Sequence, residues 1–251
     1  MSSIGTGYDL SASQFSQDGR IFQVEYACKA VENSGTIVGL RGKDGVVLAV
    51  EKLITSKLYE EDSGSRIFTI DKHIGLAFSG LNADGRAIVQ IAREEATNYR
   101  QQYDRPIPLK QLNDRLSSYL HAYTLYSAVR PFGVSIIIAA WTPENGSEMY
   151  MLDPSGLALG YFGCAVGKAK QSAKTEIEKL KLSELTARQL ASEASKIIYQ
   201  VHDELKDKEF KLELSWVGAD TQGLHKLVPN DVYVEANKAG KEAMEDDEDL
   251  D

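Results

Sequence analysis

The spacing of apolar positions changes period several times along the chain, and those changes mark its elements. Ile21, Val24, Cys28 and Val31 recur at helical intervals while Gln23, Glu25 and Lys29 fall between them, which predicts an amphipathic helix over RIFQVEYACKAV with Asp18 as its cap. Period two and short apolar runs follow. Segments 36–41 and 46–51 flank Gly42-Lys43-Asp44-Gly45, and segments 66–70 and 74–79 flank Asp71-Lys72-His73, so each pair reads as a β-hairpin. Two helices come next, one with the apolar face Ile88, Ile91, Ala92, Ala96 and Tyr99, the other with Leu109, Leu112, Leu116, Tyr119, Leu120 and Tyr123. Strands return in VSIIIAAW, EMYMLD and LALGYFG, the last two separated by Pro154-Ser155-Gly156. In the second helical pair, Ala169, Ala173, Ile177 and Leu180 stripe one member. The other opens on the capping-box pattern Thr186-x-x-Gln189 and continues through Leu190, Ala194, Ile197, Val201 and Leu205. LELSWVG and LHKLVP, around Gln222-Gly223, close the strand set.

About ten strands interrupted by two helical pairs crowd a single open sheet but suit two sheets packed face to face. VSIIIAAW, apolar at nearly every position, belongs to a strand covered on both sides. The expected fold is therefore α+β, a four-layer αββα sandwich of two antiparallel sheets preceded by an N-terminal extension helix. The small, polar start (1–17) reads as an arm, 18–241 as one domain that includes the first helix, and 242–251 as an acidic, disordered tail. No stretch of 20 to 50 residues repeats, which excludes a solenoid.

Composition narrows the function. A hydrophobic content of 43% supports a substantial core, while a net charge of -9 without any basic stripe argues against nucleic acid or anionic membrane as a partner. Residues 1–20 carry no signal-peptide pattern and no run is long and apolar enough to span a bilayer, so an intracellular, soluble protein is expected. Cys28 and Cys164 stand far apart and read as small buried hydrophobes. His73, His121, His202 and His225 are scattered and read as turn, surface or helix residues; with no phosphate loop either, neither a metal nor a cofactor is expected.

The segment GYDLSASQFSQDGRIFQVEYA, from Gly7 to Ala27, resembles the N-terminal signature of proteasome alpha subunits. The likeness continues through KDGVVLAVEKLITSKL, FSGLNADGRAIVQIAREEA, YTLYSAVRPFGVS, LDPSG and GKAKQSAKTEIEKL, nearly the whole chain. YDLSAS, HAYTLYSAVRPFG, VHDELKDKEF and the acidic end make it most similar to the alpha 7 branch, also called alpha type-3. The resemblance implies an N-terminal nucleophile hydrolase-like sandwich and a non-catalytic subunit of the 20S core particle. It implies as partners the other alpha subunits of a seven-membered ring, the beta-ring subunits, and the C-terminal tails of a regulatory particle or activator. It also implies cytoplasmic and nuclear work in ubiquitin-dependent protein degradation.

Beta-type relatives attack with a threonine whose own freed amino group serves as base. Laid on that pattern, this chain puts Gly35 at the nucleophile, followed by Thr36, with Glu51 at the acidic partner and Arg66 at the catalytic lysine. A guanidinium is a poor proton carrier, and a carboxylate and a cation without a nucleophile form at most a structural ion pair. The expected gate residues are Gly5, Gly7, Tyr8, Asp9, Gln17 and Tyr26, on an arm whose residues 1–8 reach about 25 Å when stretched. Leu10 stands where the family usually has arginine and Gln17 where it has proline. Arg66, with Gly80 and Leu81, falls at the family's activator pocket, where lysine is usual. Arg130-Pro131-Phe132-Gly133 is a family turn leading into a central strand. Two alternatives stay open on sequence: an active hydrolase of the same fold, and a free-standing acidic binding module.

Overall fold

The computed structural model describes residues 5, 7–60, 63–203 and 209–248. Helix α1 (Phe22–Glu32) leads into β1 (Ile37–Arg41) and β2 (Gly45–Leu53), then β3 (Ile67–Asp71) and β4 (Ile74–Gly80). Helices α2 (Asn82–Tyr103) and α3 (Leu109–Ala122) follow, then β5 (Val134–Thr142), β6 (Gly146–Leu152), β7 (Ala158–Gly160) and β8 (Gly163–Val166). The chain ends with α4 (Lys170–Glu178), α5 (Ala187–Gln200), β9 (Phe210–Gly218), β10 (Lys226–Leu227) and α6 (Asn230–Glu248).

The strands form two five-stranded sheets, ordered β10-β9-β2-β1-β8 and β3-β4-β5-β6-β7, with every pair antiparallel. Strand alternation distributes side chains among three apolar layers. On β2, Val46, Leu48 and Val50 enter the seam between the sheets, whereas Val47 and Ala49 pack outward with α4, α5 and α6. On β5, Ile137 and Ala139 enter the same seam, and Ile136, Ile138 and Ala140 pack outward with α2 and α3. Strands buried on both faces need apolar residues at successive positions, which explains the unbroken VSIIIAA run. The layering is helix, sheet, sheet, helix, as the sequence implied.

Several local expectations are corrected. Asp18 does not cap α1: Ile21 holds the N-cap position without a side-chain bond, and the Asp18 carboxylate accepts the Ser16 hydroxyl instead. The buried stripe of α1 is Phe22, Ala27 and Val31, while Ile21, Val24 and Cys28 are half-buried. Ile21 and Val24 instead wall a groove facing Ser117 and His121 on α3. LALGYFG is not one strand. Its first part pairs with β6 and the part beginning at Gly163 pairs with β1, so the chain crosses from one sheet to the other at Tyr161-Phe162. Helix α5 stops at Gln200 with Val201 as C-cap, and Leu205 lies outside the described residues.

The largest difference is α6, which periodicity did not reveal and which runs past 241 to Glu248, through much of the segment expected to be a disordered tail. Among the described residues its fully buried seam is narrow, Val232, Ala236 and Gly240 at four-residue steps, with Tyr233 packed partly buried beside it and Gly240 against the Tyr199 ring of α5. Glu, Ala and Met are good helix formers, and Lys238 and Glu242 pair along the helix at 3.6 Å, so local forces carry it beyond the core. Residues 249–251 lie outside the described residues. The His202 side chain and the whole of His225 are buried rather than superficial.

Candidate functional site

Gly35 is buried between the end of α1 and the start of β1, against the β2 main chain at Glu51. Its carbonyl accepts the Ser79 hydroxyl at 2.8 Å, the preceding Ser34 carbonyl accepts the Lys168 N–H at 3.0 Å, and the following Thr36 carbonyl accepts the Glu51 N–H at 2.8 Å. A β-carbon at Gly35 would overlap the Glu51 carbonyl oxygen, which is backbone and cannot swing aside. A side chain, nucleophilic or otherwise, can enter this position only if the Glu51 main chain shifts.

Glu51 is fully buried and its carboxylate is satisfied locally. One oxygen accepts the Thr36 N–H at 2.8 Å; the other faces His202 Nδ1 at 2.6 Å and Lys168 Nζ at 3.6 Å. The His202 ring also lies against Phe210, with ring centroids 4.5 Å apart. The structural ion pair anticipated at Glu51 thus exists, but its cation is Lys168, with His202 as a hydrogen-bonding neighbour, and sequence reasoning assigned neither to it. Arg66 is not among its partners in the described hydrogen bonds. A buried carboxylate needs partners, and here two hydrogen bonds and one ion pair supply them.

Arg66 instead spans the seam at the mouth of the sandwich. Its N–H donates to Glu213 Oε2 on β9 at 3.0 Å, its carbonyl accepts the Phe78 N–H on β4 at 3.1 Å, and its guanidinium donates to the Gly80 carbonyl at 3.2 Å. The guanidinium carbon sits 5.6 Å from the Phe78 ring centroid, and burial holds its pKa below the usual arginine value. Arg66, Gly80 and Leu81 line one cavity of about 680 Å³ together with Gly35, Lys52 and Leu53. The three positions carried over from the family pocket are therefore brought together. Gly80 adopts φ 127°, a conformation reserved for glycine, and a β-carbon there would strike the Gly133 carbonyl.

The turn 130–133 is pinned beneath this pocket. Both Arg130 guanidinium nitrogens bond Asp84, at 2.6 and 2.9 Å, and Asp84 also accepts the Gly133 N–H at 2.9 Å. The Arg130 bonds, with help from Gly133, hold the Asp84 carboxyl below its ordinary pKa.

The described arm residues fold back on α1 rather than extend. Tyr26 donates its hydroxyl to Asp9 Oδ2 at 3.2 Å, Gln23 donates to the Asp9 carbonyl at 2.5 Å, and Gly5 lies against Phe22 and Tyr26. Gly5 and Gly7 take φ values of 94° and 86°, which β-carbons would resist, and Tyr8 donates its N–H to the Gly5 carbonyl at 2.9 Å. Gln17 stands apart. It occupies the second position of a tight turn closed by the Gly19 N–H on the Ser16 carbonyl at 3.0 Å, a place that suits proline but does not need it. Among the expected gate residues, Gly5 and Asp9 each meet Tyr26, Tyr8 joins through its backbone bond to Gly5, and Gln17 does not touch them in the described bonds. Gln23 was missed, because a glutamine on a helix surface gives no signal in sequence.

Among the described residues no group of three or more His, Cys, Asp or Glu is placed to hold a metal, and no helix is long and apolar enough to cross a membrane. Cys28 and Cys164 are free, and burial pushes their thiols up to about 11 and about 12.

Residues 31–217 match the proteasome subunit family, and residues 8–30 match the N-terminal signature of its A-type members. The chain is 61% identical over 248 residues to the proteasome alpha type-3 subunit of Drosophila melanogaster, covering 99% of this chain and 98% of that one. It is 55% identical over 246 residues to the proteasome alpha type-3 subunit of Oryza sativa subsp. japonica, covering 98% of each. To the probable proteasome alpha type-7 subunit of Saccharomyces cerevisiae it is 51% identical over 253 residues, covering 99% of this chain and 88% of that one. A buried glycine where attack would begin, two sheets between helix layers, and this likeness over almost the whole length lead to one conclusion: the chain belongs to the proteasome subunit family and carries the signature of its alpha side.

Proposed function

We propose that this non-catalytic, alpha-type subunit serves the proteasome core as a ring scaffold, with an arm that takes part in gating substrate entry and a pocket that receives an activator's C-terminal tail. The observation that carries this reading is Gly35: with no room for a β-carbon, the degenerate site is a packing element, and the work passes to surfaces. An active hydrolase is disfavoured on the same ground.

The arm is built for two positions. It is held on α1 by hydrogen bonds from Tyr26 and Gln23 to Asp9, the first exposed and the second part-buried, worth about 1 kcal/mol each, so a neighbour offering comparable bonds can draw it away. With Leu10 in place of arginine, its part in a closed gate is accessory. The pocket offers the Arg66 guanidinium beside Leu53 and Leu81, a cation next to apolar walls, which suits a terminal carboxylate on an apolar segment. Its neighbours would be other alpha subunits in a seven-membered ring and beta subunits beneath, in cytoplasm and nucleus.

The test is deletion of residues 2–9 in assembled core particles. Basal hydrolysis of a fluorogenic peptide should rise severalfold, and an unchanged rate with normal assembly removes the arm from the gate.

A further inference from the structure

Glu213 does not itself line the Arg66 pocket, but its carboxylate meets two residues that do, Arg66 and Lys52. It projects from β9 on the face opposite Leu212 and Leu214, so it points into the seam between the sheets, with its side chain only 13% exposed. Its Oε2 accepts both the Arg66 N–H at 3.0 Å and the Ser65 hydroxyl at 3.2 Å, and its Oε1 lies 4.0 Å from Lys52 Nζ. On the other side the Arg66 carbonyl takes the Phe78 N–H. The backbone of one residue is thus suspended between two sheets, by a side chain from one and by main chain from the other. The main-chain half follows from the fold, whereas the carboxylate half depends on one residue and on its length.

We infer that Glu213 is a positioning residue for the docking pocket: its carboxylate fixes the Arg66 backbone so that the guanidinium lies on the Gly80 carbonyl, ready for a terminal carboxylate. This rests on the docking role proposed above. Length, not charge, is the property required. An N–H donor is served equally by a carboxylate or an amide oxygen at the same reach, whereas removing one methylene withdraws the acceptor by more than a hydrogen bond tolerates.

That distinction gives a test in which position and charge act in opposite senses. Core particles carrying the native or variant chain are exposed to the peptide GGSGLAL bearing a photo-crosslinker, once with a free C-terminal carboxylate and once as the amide. The yield on this chain is read by mass. The carboxylate-to-amide ratio should fall about tenfold in Glu213→Asp, which keeps the charge, and stay within about twofold of native in Glu213→Gln, which keeps the reach. The reverse order would make the role electrostatic and overturn the inference, as would a native ratio in Glu213→Asp within intact particles. If Glu213→Asp particles do not assemble, Glu213→Gln decides: a retained ratio supports positioning and a lost one overturns it. Arg66→Ala separates the two layers of argument, because a native ratio there sinks the docking proposal itself, whereas a lost ratio there with an unchanged one in Glu213→Asp sinks only the part given to Glu213.

Discussion

Acid should loosen this molecule at His225 before most of its carboxylates protonate. The residue is 7% exposed, in the segment between β9 and β10, and it ties that segment to the opposite sheet. Its N–H donates to the Lys72 carbonyl at 2.8 Å, its Nδ1 meets the Thr69 hydroxyl at 2.8 Å, and its ring lies against Gly75. Nε2 is buried without a partner among the described residues. Burial lowers the ring pKa to about 4 from 6.5. The folded state therefore keeps the ring neutral where the unfolded chain already binds a proton, and stability contributed above pH 6.5 is lost as the pH falls toward 4. A difference of two to three pKa units corresponds to about 3 kcal/mol in full, of which about 2 kcal/mol is lost by pH 5. Urea denaturation of the purified chain at pH 7.5 and pH 5.0, beside His225→Gln, measures it. The variant should begin less stable but lose about 2 kcal/mol less than the native chain between the two pH values, other titrating groups cancelling in the comparison. Equal losses in both proteins would refute the reasoning.

Two further outcomes are expected. Glu51→Gln leaves the Lys168 and His202 side chains without their shared anion and should cost about 3 kcal/mol in a denaturant titration, with a loss below about 1 kcal/mol showing that water already serves those groups. Gly35→Ser should destabilise by about 1–3 kcal/mol and leave peptide hydrolysis by the chain at background, because the hydroxyl can enter only by displacing the Glu51 main chain; any gain of turnover would contradict the burial described.

What sequence reveals and what it hides divide along physical lines. The sandwich was legible because its strands are buried on both faces and its helices on one, so solvent wrote the pattern directly into residues such as Ile136–Ala140 and Leu109–Leu120. The capping box at Thr186 and Gln189 is local chemistry, and both of its hydrogen bonds are present. The Arg66, Gly80 and Leu81 pocket was legible only through family likeness, since nothing in their spacing places them together. Partners chosen across the fold were not legible at all. Glu51 meets His202 and Lys168 from more than a hundred positions away, and no periodicity encodes that. Helix α6 escaped because three small or β-branched residues at four-residue steps bury too little to stand out from a charged background. The one available hint at Glu213 was its place between two leucines on a strand covered from both sides, where a charge must have an internal reason.

The crossing at Tyr161-Phe162 has a consequence for how the chain tolerates change. Because β7 finishes one sheet and β8 begins the border of the other with only two residues between them, both margins are written by a single uninterrupted stretch. Adding or removing one residue there would turn every later side chain on one border to the wrong side. Length at this joint is therefore far less negotiable than the identity of the residues that occupy it.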